Sequence, residues 1–387
     1  MNLSFESKLS LHEITIRPDH KHFIVEDVSS GDFYEMPKIC IDAINYIENG
    51  KSLGEIEAML KQDYPPDEVD VIGFAEQLIE FGLVKLIDET PVDTPIKQNP
   101  TKGFEWISPQ IAKIFFNKYT NKLYPSLLFL NIGLLIFNSD YIPHYRDLFL
   151  FDSMMISILI YMGISLLLII IHEFGHILAI RAQHLPAKLD IGNRLFLIVF
   201  ETDLTASWKL PQKKRNILFF GGIAFEQVIL FIAILLLLTG VSNSLFSGII
   251  TIIIFDIIIK TIYQCCFYMK TDFYYLIENI TGHYNLMENG KQFLSKWIPF
   301  LKKNESTVAF DGEMRGIRLY SVFYLLGIVL TFVLFGVYLI PALLFAYSKA
   351  ITYISSSPTN PYFWDGVFFL GQTVLLLGLL IYVKAKK

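Results

Sequence analysis

The stretch LLIIIHEFGHILAI (residues 167–180) sets two histidines and a glutamate at the end of a long apolar run that begins near residue 153. About 20 consecutive apolar residues are enough for a helix to cross a bilayer. Ionisable side chains at that depth are costly and are usually retained for function. A chain carrying this segment must therefore embed a helix in lipid and give its three polar side chains partners within the protein.

The rest of the sequence agrees with a membrane setting. Only 18% of the 387 residues are charged and 53% are hydrophobic, against about 25% charged in soluble domains. Apolar spans are predicted at 123–139, 153–180, 217–240, 244–269, 319–346 and 362–383, giving an α-helical integral membrane protein of about six transmembrane helices. Residues 181–216 carry Arg181, Lys188, Arg194, Lys209, Lys213, Lys214 and Arg215, and 270–318 and the tail are also basic. The alternate loops hold only Arg146 and Lys349. The positive-inside rule then predicts cytoplasmic N- and C-termini in a bacterial-type cytoplasmic membrane. No basic region followed by an apolar stretch opens the chain, so no signal peptide is expected. Cys40, Cys265 and Cys266 fit neither a disulfide framework nor a zinc-finger spacing.

Residues 9–88 read as a separate soluble α+β unit. HEITIRP and KHFIVEDV alternate as strands; PKICIDAINYIENG, SLGEIEAMLKQDY and PDEVDVIGFAEQLIEFG read as helices, and LVKLID returns as a strand. Ser52 and Glu55 form a capping-box pair. The order suggests a winged-helix-like unit. Residues 89–122 follow as a proline-rich linker and an interfacial helix, and 123–387 form the polytopic membrane domain. The net charge of −5, with an acidic N-terminal unit, argues against nucleic acid as a partner.

His172, Glu173 and His176 form H-E-x-x-H. On a helix, positions i and i+4 share a face, so both imidazoles reach one metal ion, and Glu173 stands beside it as a general base. Imidazole and carboxylate donors suit Zn2+, one per chain, and a catalytic zinc needs a third protein ligand. A histidine six residues after the second would need position 182, which is Ala182. His184 is one candidate. Asp272 is better placed, because it follows the fourth span on the side where the second span ends. Glu226 in the third span is a candidate for orienting a ligating histidine. Asp256 and Lys260, four apart in the fourth span, are expected to pair. LDIGNRLFLIVFETD (189–203) reads as a strand or hairpin at the interface, with Phe196, Ile198 and Phe200 as candidate substrate contacts.

The HEFGH motif at a membrane helix end, with an aspartate after a later helix, resembles the site-2 protease family of intramembrane zinc metalloproteases. TDLTASWKLPQKKRNILFFGG (202–222) and KTDFYYLIENITGHYNL (270–286) look like its peptide zinc metalloprotease branch. The resemblance covers roughly residues 150–290. It implies a three-helix core from the second, third and fourth spans, Asp272 as third ligand and Glu173 as base. This chain has Phe273 where the family usually has glycine after the metal aspartate, and Gly221-Gly222 where Gly-Pro is common. A ring beside Asp272 threatens to crowd the open metal position. Residues 9–88 resemble PqqD-like elements that bind leader peptides of ribosomally made, modified peptides.

The resulting expectation is a membrane-embedded zinc endopeptidase that cleaves a leader-bearing precursor peptide near the cytoplasmic face. Two alternatives stand beside it: regulated proteolysis of a single-span membrane protein such as an anti-sigma factor, and an inactive immunity, export or scaffold protein. The expected partners are a peptide or membrane-protein substrate and the bilayer.

Overall fold

The computed structural model describes residues 3–65, 69–92, 103–194, 197–298 and 313–385. The N-terminal region opens with four strands, β1 (Leu9–Leu11), β2 (Ile14–Asp19), β3 (His22–Asp27) and β4 (Phe33–Met36). Helices α1 (Lys38–Glu48), α2 (Leu53–Asp63) and α3 (Val71–Glu80) follow, then β5 (Val84–Ile87) and β6 (Thr90–Pro91). The strands form two separate antiparallel sheets, ordered β1-β5-β6 and β2-β3-β4. Helix α2 starts where its cap predicts: Ser52 Oγ accepts from the Glu55 N–H, and Glu55 reaches back to the Ser52 N–H. Ile44, Leu53, Ile56, Leu78 and Leu83 are fully buried between the three helices and the β1-β5 pair.

The linker residues 93–102 lie outside the described residues. Beyond them come α4 (Pro109–Phe115), α5 (Thr120–Phe137) and α6 (Met154–Arg181). The hairpin β7 (Lys188–Arg194) and β8 (Leu197–Asp203) pairs antiparallel, Lys188 opposite Asp203. Then follow α7 (Gln212–Phe219), α8 (Gly221–Leu238), α9 (Ser244–Tyr263), α10 (Asp272–Thr281) and α11 (Leu286–Leu294). Helix α12 (Met314–Leu334) runs through a π-helical turn (Phe335–Leu339) into α13 (Ile340–Ile354), and α14 (Pro361–Ala385) ends the described chain.

Five helices among the described residues are long and apolar enough to cross a membrane: Pro109–Phe137, Met154–Arg181, Gly221–Leu238, Ser244–Tyr263 and Met314–Ile354. These helices suggest a membrane-embedded protein. The sixth predicted span falls on α14, which is helical but is not among these five. Boundaries also differ from the sequence reading. The predicted span 217–240 breaks at Phe220, between α7 and α8, where Gly221 and Gly222 come against α6. The predicted span 244–269 ends as helix at Tyr263, and the chain turns back through Gln264–Thr271 before α10. The predicted span 319–346 is part of a helix that starts at Met314 and continues to Ile354; the π turn lies just before Pro341, which has no N–H to continue the ladder.

Two features hold the membrane helices in register around α6. Gly175 on α6 faces the Gly221 carbonyl so closely that a methyl group at 175 would clash with backbone, so α6 and α8 touch through small residues. At the C-terminal residue of α6, buried Arg181 donates to the carbonyls of Glu105, Ile107 and Leu185, tying α6 to the segment before α4. Asp256 and Lys260 pair at 2.5 Å within α9, as their spacing predicts.

Candidate metal centre

His172 and His176 lie one turn apart on α6, and Asp272 is the first residue of α10. His172 Nε2 stands 3.0 Å from Asp272 Oδ2 and 3.3 Å from His176 Nε2; His176 Nε2 is 3.5 Å from the same carboxylate oxygen. One donor atom from each residue thus lies within 4.8 Å of the other two.

The protons on these rings are placed by their neighbours. His176 Nδ1 lies 2.8 Å from the Leu218 carbonyl, which can only accept, so Nδ1 carries the proton and Nε2 presents a lone pair. His172 Nδ1 is 3.2 Å from Glu226 Oε1, although off the hydrogen-bond line, and this carboxylate favours the same tautomer. Glu226 is 1% exposed and its Oε2 has no hydrogen-bond partner. The two Nε2 atoms thus face Asp272 Oδ2, which also accepts from Gln264 Nε2. Burial pushes the Asp272 carboxyl up, but the imidazoles beside it, His176 foremost, outweigh this and hold it well below the usual carboxylate range. Positive charge is what this donor set calls for, and two imidazoles with a carboxylate fit zinc.

The position of Asp272 is built by the turn after α9. Gln264 Nε2 donates to Asp272 Oδ2 (3.0 Å), and the Asp272 N–H donates to Gln264 Oε1 (3.0 Å). Thr271 Oγ1 accepts from the Tyr274 N–H and donates to the Gln264 carbonyl, capping α10 and closing the turn. Gly222 provides the room: a methyl group there would meet the His172 ring inside van der Waals contact. The sequence reading noted Gly222 only as a departure from Gly-Pro, and it missed Gln264. Gln264 sits in an apolar run with nothing in its spacing to couple it to Asp272.

Glu173, also on α6, reaches β8. Its Oε2 accepts from both the Thr202 N–H and Thr202 Oγ1 at 2.8 Å, which fastens α6 to β8. Its Oε1 has no hydrogen-bond partner among the described residues. Glu173, His176 and Asp272 line one cavity of about 700 Å3 together with Thr202 and Asp203 of β8. The opposite wall comes from the N-terminal region: Ile24 of β3 and Phe33, Tyr34 and Glu35 of β4. Two carboxyls lining this cavity are displaced upward. Burial, with Glu313, Glu278 and Asp19 nearby, pushes Glu35 up to about 8. Burial likewise raises Glu278 to about 7, although bonds from Tyr274 and the Leu286 N–H oppose it.

The remaining predicted residues are dispersed. His184 has a positive φ of 64° and lies 2.8 Å from Lys113 Nζ, outside the donor cluster. Phe200 pairs with Ile191 across the hairpin and is 37% exposed, but does not line the cavity. Phe196, and the side chain of Ile198, lie outside the described residues. Phe273 corrects an expectation: its ring stacks on Phe220 at 6.5 Å and is absent from the cavity lining, so it does not crowd the donor cluster.

The N-terminal sheet is fixed over the cavity by charge pairs. Arg215 of α7, 1% exposed, donates through Nη2 to Asp19 Oδ2 (2.6 Å) and to the Tyr284 hydroxyl (2.9 Å), and through Nε to Asn279 Oδ1 (2.7 Å). Tyr284 donates to the same Asp19 oxygen, and the guanidinium lies over the Trp208 ring. Lys209 pairs with Glu26, and His22 Nε2 is 3.3 Å from Glu313 Oε1. No family model, curated protein or solved structure matches the chain.

Proposed function

We propose that this protein is a membrane-embedded zinc endopeptidase acting on a peptide that enters the cavity between the N-terminal sheet and the β7-β8 hairpin. The observation that carries this reading is the convergence of His172 Nε2, His176 Nε2 and Asp272 Oδ2 beside a cavity that Glu173 also lines. His172, His176 and Asp272 would hold the zinc, which when bound would supply Lewis-acid activation of a water near neutral pH. Glu173 takes the proton of the attacking water and returns it to the leaving amine, while Thr202 holds the carboxylate toward β8. Asp272 is held by Gln264, His176 by the Leu218 carbonyl and His172 by Glu226, which together keep the donor atoms aimed at one point.

A peptide substrate is favoured by the two walls of the cavity. β4 and β8 each pair with one neighbour only among the described strands, so each offers an edge to an extended peptide. The three-helix core is read as α6, α8 and α9, and the N-terminal unit as a winged-helix-like recognition element for a leader. With the basic segments cytoplasmic, the catalytic end of α6 and both termini face the cytoplasm.

The test compares wild type with Glu173→Gln after purification in detergent with zinc present. Elemental mass spectrometry should find about one zinc per chain in both. A mixture of unstructured peptides, read by mass spectrometry, should be cut only by wild type, and cutting should stop with a chelator. Equal cutting by Glu173→Gln removes the protease reading. Absence of zinc from both proteins removes the metal centre.

A further inference from the structure

Helix α10 separates two environments of opposite character. One face carries Asp272, Tyr275 and Glu278 to the catalytic cavity. The other carries Phe273, Leu276, Ile277 and Ile280, spaced i, i+3, i+4, i+7, to a second cavity of about 860 Å3. This groove runs between α10, α7 and the first turns of α5, so it opens beside the membrane span Pro109–Phe137. Its apolar part stays uncovered: Phe129 is 71% exposed and Ile280 54%.

The polar part of the groove is wholly basic. Lys118, Lys213 and Lys214 line it, and no lining residue is acidic, in a chain whose net charge is −5. All three lysines are exposed, and no carboxylate among the described residues lies within ion-pair distance of them. The neighbouring Arg215, by contrast, is consumed by Asp19. The Asn121 side chain, less than a turn from Lys118, also lines the groove, and its buried Oδ1 has no hydrogen-bond partner. The catalytic cavity is lined by Glu35, Glu173, Asp190, Glu201, Asp272 and other acids, with Lys270 as the one lysine or arginine among its described lining residues. The two sides of α10 therefore select opposite charges.

From this juxtaposition we infer that the groove is a binding site for an anionic phospholipid. Its phosphate sits among Lys118, Lys213 and Lys214, and its acyl chains lie along Phe129, Phe273 and Ile280. Three lysines without a carboxylate partner, lining an apolar groove beside a membrane span, match a lipid with a charged head and two tails better than a soluble anion, although Lys118 Nζ also lies over the Tyr119 ring. Occupancy would bear on α10, because Phe273 is the chain neighbour of Asp272.

The experiment uses the full chain reconstituted in phosphatidylcholine vesicles with and without phosphatidylglycerol. It is then extracted in mild detergent, and the phospholipid that stays bound is identified by mass spectrometry. Wild type should retain phosphatidylglycerol over phosphatidylcholine, and Lys118→Gln/Lys213→Gln/Lys214→Gln should lose about tenfold of that preference. Lys8→Gln/Lys38→Gln/Lys85→Gln removes the same charge elsewhere and should leave it intact. Ile280→Asn, which keeps every lysine, should weaken retention of both lipids. Equal loss in the two lysine triples would mean bulk charge attraction, and would overturn the site. Release of the lipid by inorganic phosphate alone would overturn it too, since the acyl chains would then contribute nothing.

Discussion

Two clusters of polar groups join distant parts of the chain, and they differ in how their groups are partnered. Around Arg215 donors meet acceptors: Asp19 takes Nη2 and the Tyr284 hydroxyl, and Asn279 takes Nε. Around His172, His176 and Asp272 the acceptors face one another, with both Nδ1 atoms already turned to other groups. The first cluster is complete as a piece of protein. The second gathers two ring nitrogens and a carboxylate oxygen that could hold a metal ion. Burial and charge alone do not separate a structural cluster from a functional one; the balance of donors and acceptors does.

Breaking the satisfied cluster should have the largest effect on stability. Arg215→Met leaves Asp19, itself 9% exposed, without its cation, and removal of one partner of such a pair costs about 3–5 kcal/mol. The unfolding midpoint of the purified protein should drop sharply. Proteolysis should also open within residues 89–122 as the N-terminal sheet leaves its seat. Asp19→Asn, which keeps a hydrogen-bonding group of the same shape, should do less. A fall under about 1 kcal/mol in Arg215→Met would mean that the cluster is no different from a surface pair.

The metal centre should respond in metal affinity rather than in folding. Gly222→Ala pushes a methyl group into the His172 ring, so zinc affinity should fall by roughly a hundredfold, of the order that a strained core residue costs. Competition with a fluorescent chelator measures it. Unchanged affinity would show that the ring has freedom to withdraw. Glu226→Gln should cost less, near the lower end of the ~10–100-fold range for groups that orient a ligand, because Glu226 meets His172 Nδ1 off the hydrogen-bond line. No loss at all would make Glu226 a bystander.

The same contrast explains what could be read from the sequence. H-E-x-x-H is local: helical periodicity puts both imidazoles on one face, and Glu226 was legible as an unpaired acid in an apolar run. Asp272 needed only the direction of four spans. The Arg215 cluster joins residues near 19, 215, 279 and 284, a set that no periodicity brings together. Arg215 reads in sequence as one more positive charge in a basic loop. Gln264 was hidden for a related reason, since its value lies in a turn that replaces the predicted end of a span. The docking of β3 and β4 over the cavity rests wholly on such long-range pairs, and so only the structure places Glu35 near Asp272.

Glu35 gives a pH-dependent probe of that docking. It faces Glu313, Glu278 and Asp19, with His22 Nε2 at 3.9 Å, and burial pushes its carboxyl up to about 8 from an ordinary value of 4.5. The folded protein therefore keeps a proton that the unfolded chain has released, and across pH 4.5 to 8 the folded state binds more protons. Stability from this group is fully present below about 4.5 and is lost as pH rises through about 8. The unfolding midpoint of wild type should decline over this window more steeply than that of Glu35→Gln, and the two should draw apart toward the alkaline end, the variant being the more stable there. Parallel pH profiles would mean that Glu35 stays solvated, and hence that β4 does not close over the cavity in solution.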